Sequence, residues 1–246
     1  MEKLKQKFKE LIETLSKNDR DQLKTRLENL VSVYPFNEYE FIISTLLGLN
    51  KITLDDYYLI RDEYLDRNMF LYIFEISAPR SFGEQWAQGH LKELVPDLKR
   101  PSKKIDSHYS GQYDFILNLS DNQWIRIEVK ASRAVDFDDD SPLYVKALAF
   151  DSEKRFDMNF QQVKPDCCDV FVWVAVWRDR ICYWVLSSNE VQSNKYYSKG
   201  QHRGNQGEGQ LHIKEDNIRE FDEYFVPSDK LREHIVNAFY RQIHSK

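Results

Sequence analysis

The sequence predicts a mixed α/β (α+β) protein, with a central mixed β-sheet flanked by helices and a helical N-terminal region in front of it. Three observations carry that expectation. Apolar residues over the first 95 positions recur every three or four residues, the spacing of amphipathic helices. From about Leu98 the pattern shifts to short runs of β-branched and aromatic residues arranged in pairs around polar turns. Helical spacing then returns near the C-terminus.

The elements follow in order. Leu4, Phe8, Leu11, Ile12 and Leu15 form the apolar stripe of a first helix, and Asn18-Asp19 offers a cap for a second one carrying Leu23, Leu27, Leu30 and Val31. Pro35-Phe36-Asn37 breaks that helix, and a third spans 38–49. Thr53 and Asp56 have capping-box spacing for a fourth, 54–67, and Ser81 with Glu84 repeats the signature before a helix holding Trp86, Leu91 and Leu94. Two strands, 112–119 and 123–131, join through Ser120-Asp121-Asn122 as a hairpin. An acidic loop at 136–140 precedes a helix predicted over 153–163. Residues 169–177 read as a strand covered on both faces, paired through Arg178-Asp179 with a strand at 180–186, and Trp173, Trp177, Tyr183 and Trp184 are expected in the core. A basic, Gly-rich loop at 195–210 and a final helix with Leu231, Ile235, Ala238 and Phe239 complete the chain. The expected organisation is a helical region at 1–78, serving DNA binding, dimerisation or cover, and a core at 79–246.

Composition limits the functional classes. With 246 residues, 30% of them charged and 41% hydrophobic, the chain has ample material for a buried core. The mean hydropathy of -0.64 and the lack of any run of about 18 apolar residues predict no membrane span. The opening Met1-Glu2-Lys3-Leu4-Lys5 has no apolar stretch behind it, so a cytoplasmic protein is expected. Three cysteines, Cys167, Cys168 and Cys182, are too few and too irregular for a disulfide framework or a zinc site. His90, His108, His202 and His212 have no metal-ligand spacing. The net charge of -5 argues against a protein that coats nucleic acid, but not against local basic patches.

The chemistry concentrates at 112–132. Asp114, Glu128 and Lys130 interrupt two otherwise apolar strands, where an uncompensated charge is costly. Glu128 and Lys130, two residues apart, share one strand face, and Asp114 on the neighbouring strand can reach it. Two carboxylates and a lysine suit a divalent cation, a phosphate oxygen and a water; the same three charges also suit a cross-strand ion pair. Positive charge gathers at Lys99, Arg100, Lys103 and Lys104, and again at 195–207, where Lys199, Gln201, His202, Arg203 and Asn205 alternate with glycines and tyrosines. Arg203 could read guanine, and Gln201 or Asn205 adenine. Arg133 adds a cation three residues beyond Lys130.

Tyr113-Asp114 followed by Glu128-Val129-Lys130 resembles the signature of the PD-(D/E)XK nuclease superfamily, restriction-endonuclease-like proteins in particular, over about residues 80–190. Tyr113 replaces the proline, at a variable position. The resemblance implies a restriction-endonuclease-like fold in which Asp114, Glu128 and the Val129 carbonyl hold Mg2+, with Mn2+ able to substitute, while Lys130 assists the attacking water. It also implies an acidic residue on the preceding helix, for which Glu84 is the candidate, and a glutamine on the following helix, Gln161 or Gln162. The implied activity is type II cleavage of double-stranded DNA by a homodimer, alongside a cognate DNA methyltransferase. A structure-directed repair or recombination nuclease, or a non-catalytic nucleic-acid-binding module, would also fit the residues.

Overall fold

The computed structural model describes residues 2–28, 35–120, 123–200 and 208–244, and the fold is mixed α/β with two sheets. Four helices come first: α1 (Glu2–Glu13), α2 (Lys17–Glu28), α3 (Pro35–Gly48) and α4 (Leu54–Asn68). Thr53 and Asp56 form the predicted capping box of α4, each side chain accepting from the other's backbone N–H. The cap of α2 lies earlier than expected. Ser16, rather than Asn18-Asp19, accepts from the Asp19 N–H at 3.2 Å. Pro35, expected to break a helix, is the first residue of α3, where its missing N–H costs nothing. Leu30, Val31, Asp121 and Asn122 lie outside the described residues.

A π-helical stretch, Ser81–Ala87, runs directly into α5 (Gln88–Leu94). The main sheet contains β1 (Phe115–Ser120), β2 (Gln123–Arg133), β4 (Val170–Val176), β5 (Ile181–Ser187) and β8 (Phe225–Val226), adjacent in that order. Only β2 and β4 run parallel; the other pairs are antiparallel. The second sheet has β7 (Gly209–Lys214) between β3 (Asp157–Val163) and β6 (Tyr197–Lys199). Helices α6 (Ser188–Ser193) and α7 (Leu231–His244) follow β5 and β8.

The main sheet lies between two apolar layers. Ile125, Ile127 and Val129 of β2 face a core shared with Phe82, Leu91, the N-terminal helices and α7. Phe171 and Trp173 of β4 face the opposite core, closed by Phe160 of β3 and Leu211 of β7. All seven residues of β4 are buried, matching its reading as a strand covered on both faces, and Trp173, Trp177, Tyr183 and Trp184 are core residues. The C-terminal helix buries Leu231, Ile235, Ala238 and Phe239 as its spacing predicts.

Two predicted elements differ: the loop expected over 195–210 includes β6 and the first residues of β7, which pair with each other, and the helix expected over 153–163 is not formed. Residues 157–163 form β3, not part of a helix over 153–163. Phe156, Phe160 and Val163 have helical i, i+4, i+7 spacing, but a bulge creates it. Between Phe160 and Val163 the pairing to β7 slips by one residue, with Gln162 at φ 56°. The extra residue turns a period of two into an apparent period near 3.6.

Candidate active site

β1 and β2 bring Asp114, Glu128 and Lys130 together. Their antiparallel register pairs Phe115 with Ile127, so its continuation sets Asp114 opposite Glu128. The Asp114 N–H donates to the Ile127 carbonyl at 2.9 Å and fixes the start of β1. Glu128 and Lys130 lie in register with Phe171 and Trp173, on the sheet face turned toward the second sheet. The Lys130 ammonium donates to Glu128 Oε1 at 2.7 Å, with side-chain exposures of 15% and 18%. The three groups are therefore half-buried, as the apolar flanks of both strands require.

Asp114 accepts two hydrogen bonds, from the Val129 N–H at 2.8 Å and from Gln88 Nε2 at 2.5 Å. Burial pushes its carboxyl up to about 7, and the Glu128 carboxylate adds to the rise; the Val129 N–H, Lys130 and Arg100 oppose it. Two carboxylates share one lysine. Lys130 pairs with Glu128 and Arg100 reaches Asp114 only through Gln88, so among the described residues the Asp114 carboxyl has no cation in direct contact.

The donor set fits a hard divalent cation of the magnesium type. Asp114 and Glu128 supply carboxylate oxygens, and the extended backbone turns the Val129 carbonyl to the same strand edge as its N–H, toward Asp114. Among the described residues no three histidine, cysteine or acidic side chains come together as a closed cage. Magnesium is commonly held by one or two carboxylates, with water and substrate phosphate completing its shell.

Gln88 is the site residue that the sequence reading missed. Its side chain is buried, donates to Asp114, and accepts from Arg100 Nη1 at 2.5 Å. The available signal was its place three residues before buried Leu91 and one after buried Ala87: a glutamine on the core face of a helix. Arg100, seen only as part of a basic run, also stacks over the Phe115 ring at 4.5 Å.

The other candidates divide. Glu84 is exposed and pairs with Arg80 at 2.7 Å, and the helix start has no side-chain cap, so neither its predicted capping box nor a cation-facing role is realised. Glu84 and Gln88 are four residues apart, yet Glu84 is exposed and turned to Arg80 while Gln88 is buried against Asp114. Gln161 and Gln162 are exposed on the bulged end of β3, not on a helix. Arg133 is tied down as a structural clamp. It donates to the Ile73 and Ile76 carbonyls at 3.1 and 2.7 Å and stacks on Phe82, and burial lowers its guanidinium to about 10.

Lys103 and Lys104 are exposed on the loop leading to β1, and Lys199 is exposed at the end of β6. Lys195 pairs with Glu220 at 2.6 Å and contributes less positive charge than the sequence suggested. Gln201, His202, Arg203 and Asn205 lie outside the described residues. At the base of that loop the Gly200 N–H donates to the Glu208 carbonyl, and the Tyr197 ring packs where a Cβ on Gly209 would sit. His90 bonds to Tyr183 and His212 to Asp157, and His108 is exposed.

No protein-family model matches the chain, and no curated protein matches its sequence. No helix among the described residues is long and apolar enough to cross a membrane.

Proposed function

We propose that this chain is a Mg2+-dependent endodeoxyribonuclease that hydrolyses phosphodiester bonds of double-stranded DNA, as a type II restriction enzyme does. One observation carries the reading: two half-buried carboxylates from adjacent strands, Asp114 and Glu128, converge on a sheet face with a single lysine. Mg2+, or Mn2+ in its place, would be held by Asp114, Glu128 and the Val129 carbonyl. A cation bound there supplies Lewis-acid polarisation of the phosphate and lowers the pKa of an attacking water.

The chain's own groups do the rest. Glu128 fixes the Lys130 ammonium, which donates to the attacking water or to a non-bridging phosphate oxygen as negative charge accumulates. The Val129 N–H and Gln88 hold Asp114 in one orientation. Hydrolysis adds water across one P–O bond, leaving one strand end with a hydroxyl and the other with the phosphate. Lys103, Lys104 and Lys199 supply exposed positive charge for the DNA backbone. Cutting both strands of a palindrome calls for two copies, so a homodimer belongs to the reading. So does a methyltransferase that protects the cell's own DNA.

The test is incubation of unmodified phage DNA with Mg2+, followed by sequencing of the fragment ends. The reading predicts discrete fragments with a common end sequence, which Asp114→Ala, Glu128→Ala and Lys130→Ala each abolish while the fold survives. Protein inert on varied DNA with either Mg2+ or Mn2+ contradicts it.

A further inference from the structure

Gln88 joins two groups of opposite character. Arg100 can only donate hydrogen bonds and an ionised Asp114 can only accept them, so the amide between them has one satisfying orientation. Its oxygen faces Arg100 and its nitrogen faces Asp114, each at 2.5 Å. With 6% of its surface exposed, Gln88 has little access to water as a substitute partner. The guanidinium is what fixes the amide in this sense.

Arg100 itself is open. It is exposed, it belongs to the basic run that includes Lys99, Lys103 and Lys104, and it forms no ion pair among the described residues. One of its five donors goes to Gln88, leaving the fork free to meet an anion. It therefore stands one amide away from the carboxylate pair, uncompensated, on the segment that leads into β1.

We propose that Arg100 and Gln88 form a latch that couples a nucleic-acid phosphate to the cation site. A phosphate oxygen draws the Arg100 guanidinium away from Gln88, and the amide then turns. Its nitrogen donates to the phosphate and its oxygen faces the position between Asp114 and Glu128, adding a neutral oxygen to a donor set of two carboxylates and a carbonyl. Before substrate arrives, the amide presents N–H groups to that position, which oppose a cation. The site thus takes its cation together with the substrate. This inference rests on the reading of Asp114 and Glu128 as cation ligands, and linkage requires each partner to tighten the other by the same factor.

The experiment measures binding of a duplex carrying the sequence read from the cleavage ends, with and without Ca2+ as a cation that supports binding, and measures Mn2+ binding to the free protein. Wild-type protein should bind the duplex more tightly with Ca2+ by roughly 5- to 150-fold, the usual range of site-to-site coupling. In Gln88→Leu that factor should fall to about threefold or less, whatever the loss in cation-free DNA binding from removing the amide donor. Arg100→Met should weaken duplex binding and lower its salt slope by about one. Gln88→Glu is the gain-of-function arm: a carboxylate that needs no turn should bind Mn2+ without DNA at least about tenfold more tightly than wild type. A purely structural Gln88 would leave the Ca2+ factor and the free-protein Mn2+ affinity where they are, and that result overturns the latch. Should Asp114→Asn also leave the Ca2+ factor of the wild type intact, the cation reading of the site falls instead, and the latch with it.

Discussion

Two charged clusters lie on the same face of β2, two residues apart, and they differ in balance. Arg126 meets Asp169 in a closed fork: Nη2 to Oδ1 at 2.7 Å, Nε to Oδ2 at 3.1 Å, and the Arg126 N–H to Oδ2 at 2.9 Å. Asp169 returns a backbone bond, its N–H donating to the Arg126 carbonyl. One cation meets one anion there, every geometric demand is met, and the pair ties β2 to the start of β4. Asp114, Glu128 and Lys130 set two anions against one cation, and the consequence falls on Asp114, whose carboxyl is pushed up to about 7. A balanced pair holds strands together. An unbalanced cluster kept half out of water is a place where a proton or a further positive charge is stabilised.

The contrast breaks most sharply in activity. On the proposed nuclease reading, Asp114→Asn, Glu128→Gln and Lys130→Met should each lower Mg2+-dependent cleavage by about 10³-fold or more, because that reading has each group act on the reacting phosphate, its cation or its water. Asp169→Asn should leave turnover within a fewfold when assayed at a temperature where the variant is folded.

Stability should run the other way. Asp169→Asn leaves Arg126 partly buried without its counter-ion and should cost about 2 kcal/mol in urea unfolding. For Asp114 the sign follows from its raised value. The folded state holds the proton over a range where the unfolded chain, titrating near 3.8, has lost it. That contribution is complete below about 3.8 and is lost as the pH rises through about 7. Asp114→Asn should therefore be more stable than wild type above pH 7, by about 1 kcal/mol or more.

A third contrast separates the cations beyond the site. Arg133→Met should cost about 2 kcal/mol, since it frees two carbonyls and the Phe82 face, without changing the salt dependence of DNA binding. Lys103→Ala should leave stability within about 0.5 kcal/mol and lower the salt slope by about one. The smallest effect belongs to Glu84→Gln. Its ion pair with Arg80 is exposed, so divalent-cation affinity should be unchanged and stability should move by less than about 0.5 kcal/mol.

The strand pair was legible in the sequence because its physical demand is local. Asp114, Glu128 and Lys130 interrupt β-branched and aromatic runs, and a period of two sets their faces without knowledge of the rest. The same holds for β4 and β5, whose aromatic residues are too large and too many for a surface. Gln88 was less legible because its role depends on where a helix lies against the sheet. Glu84, four residues away, had the more familiar chemistry, but it is exposed and paired with Arg80. β3 was misread because a bulge at Gln162 disguised its period. The Arg126–Asp169 fork joins residues 43 positions apart, and no local pattern announces it.

The claim that the strand-pair cluster lacks one positive charge, and that a divalent cation supplies it, can be tested directly without turnover. Unfolding free energy is measured against pH with and without Mn2+, for wild type and for Asp114→Asn. The expected result is that wild-type stability declines relative to the variant as pH rises from about 4 to about 7 and levels off above that, that Mn2+ reverses the decline, and that Asp114→Asn shows neither effect. Coincident pH profiles for the two proteins, or an equal response of both to Mn2+, would contradict the account.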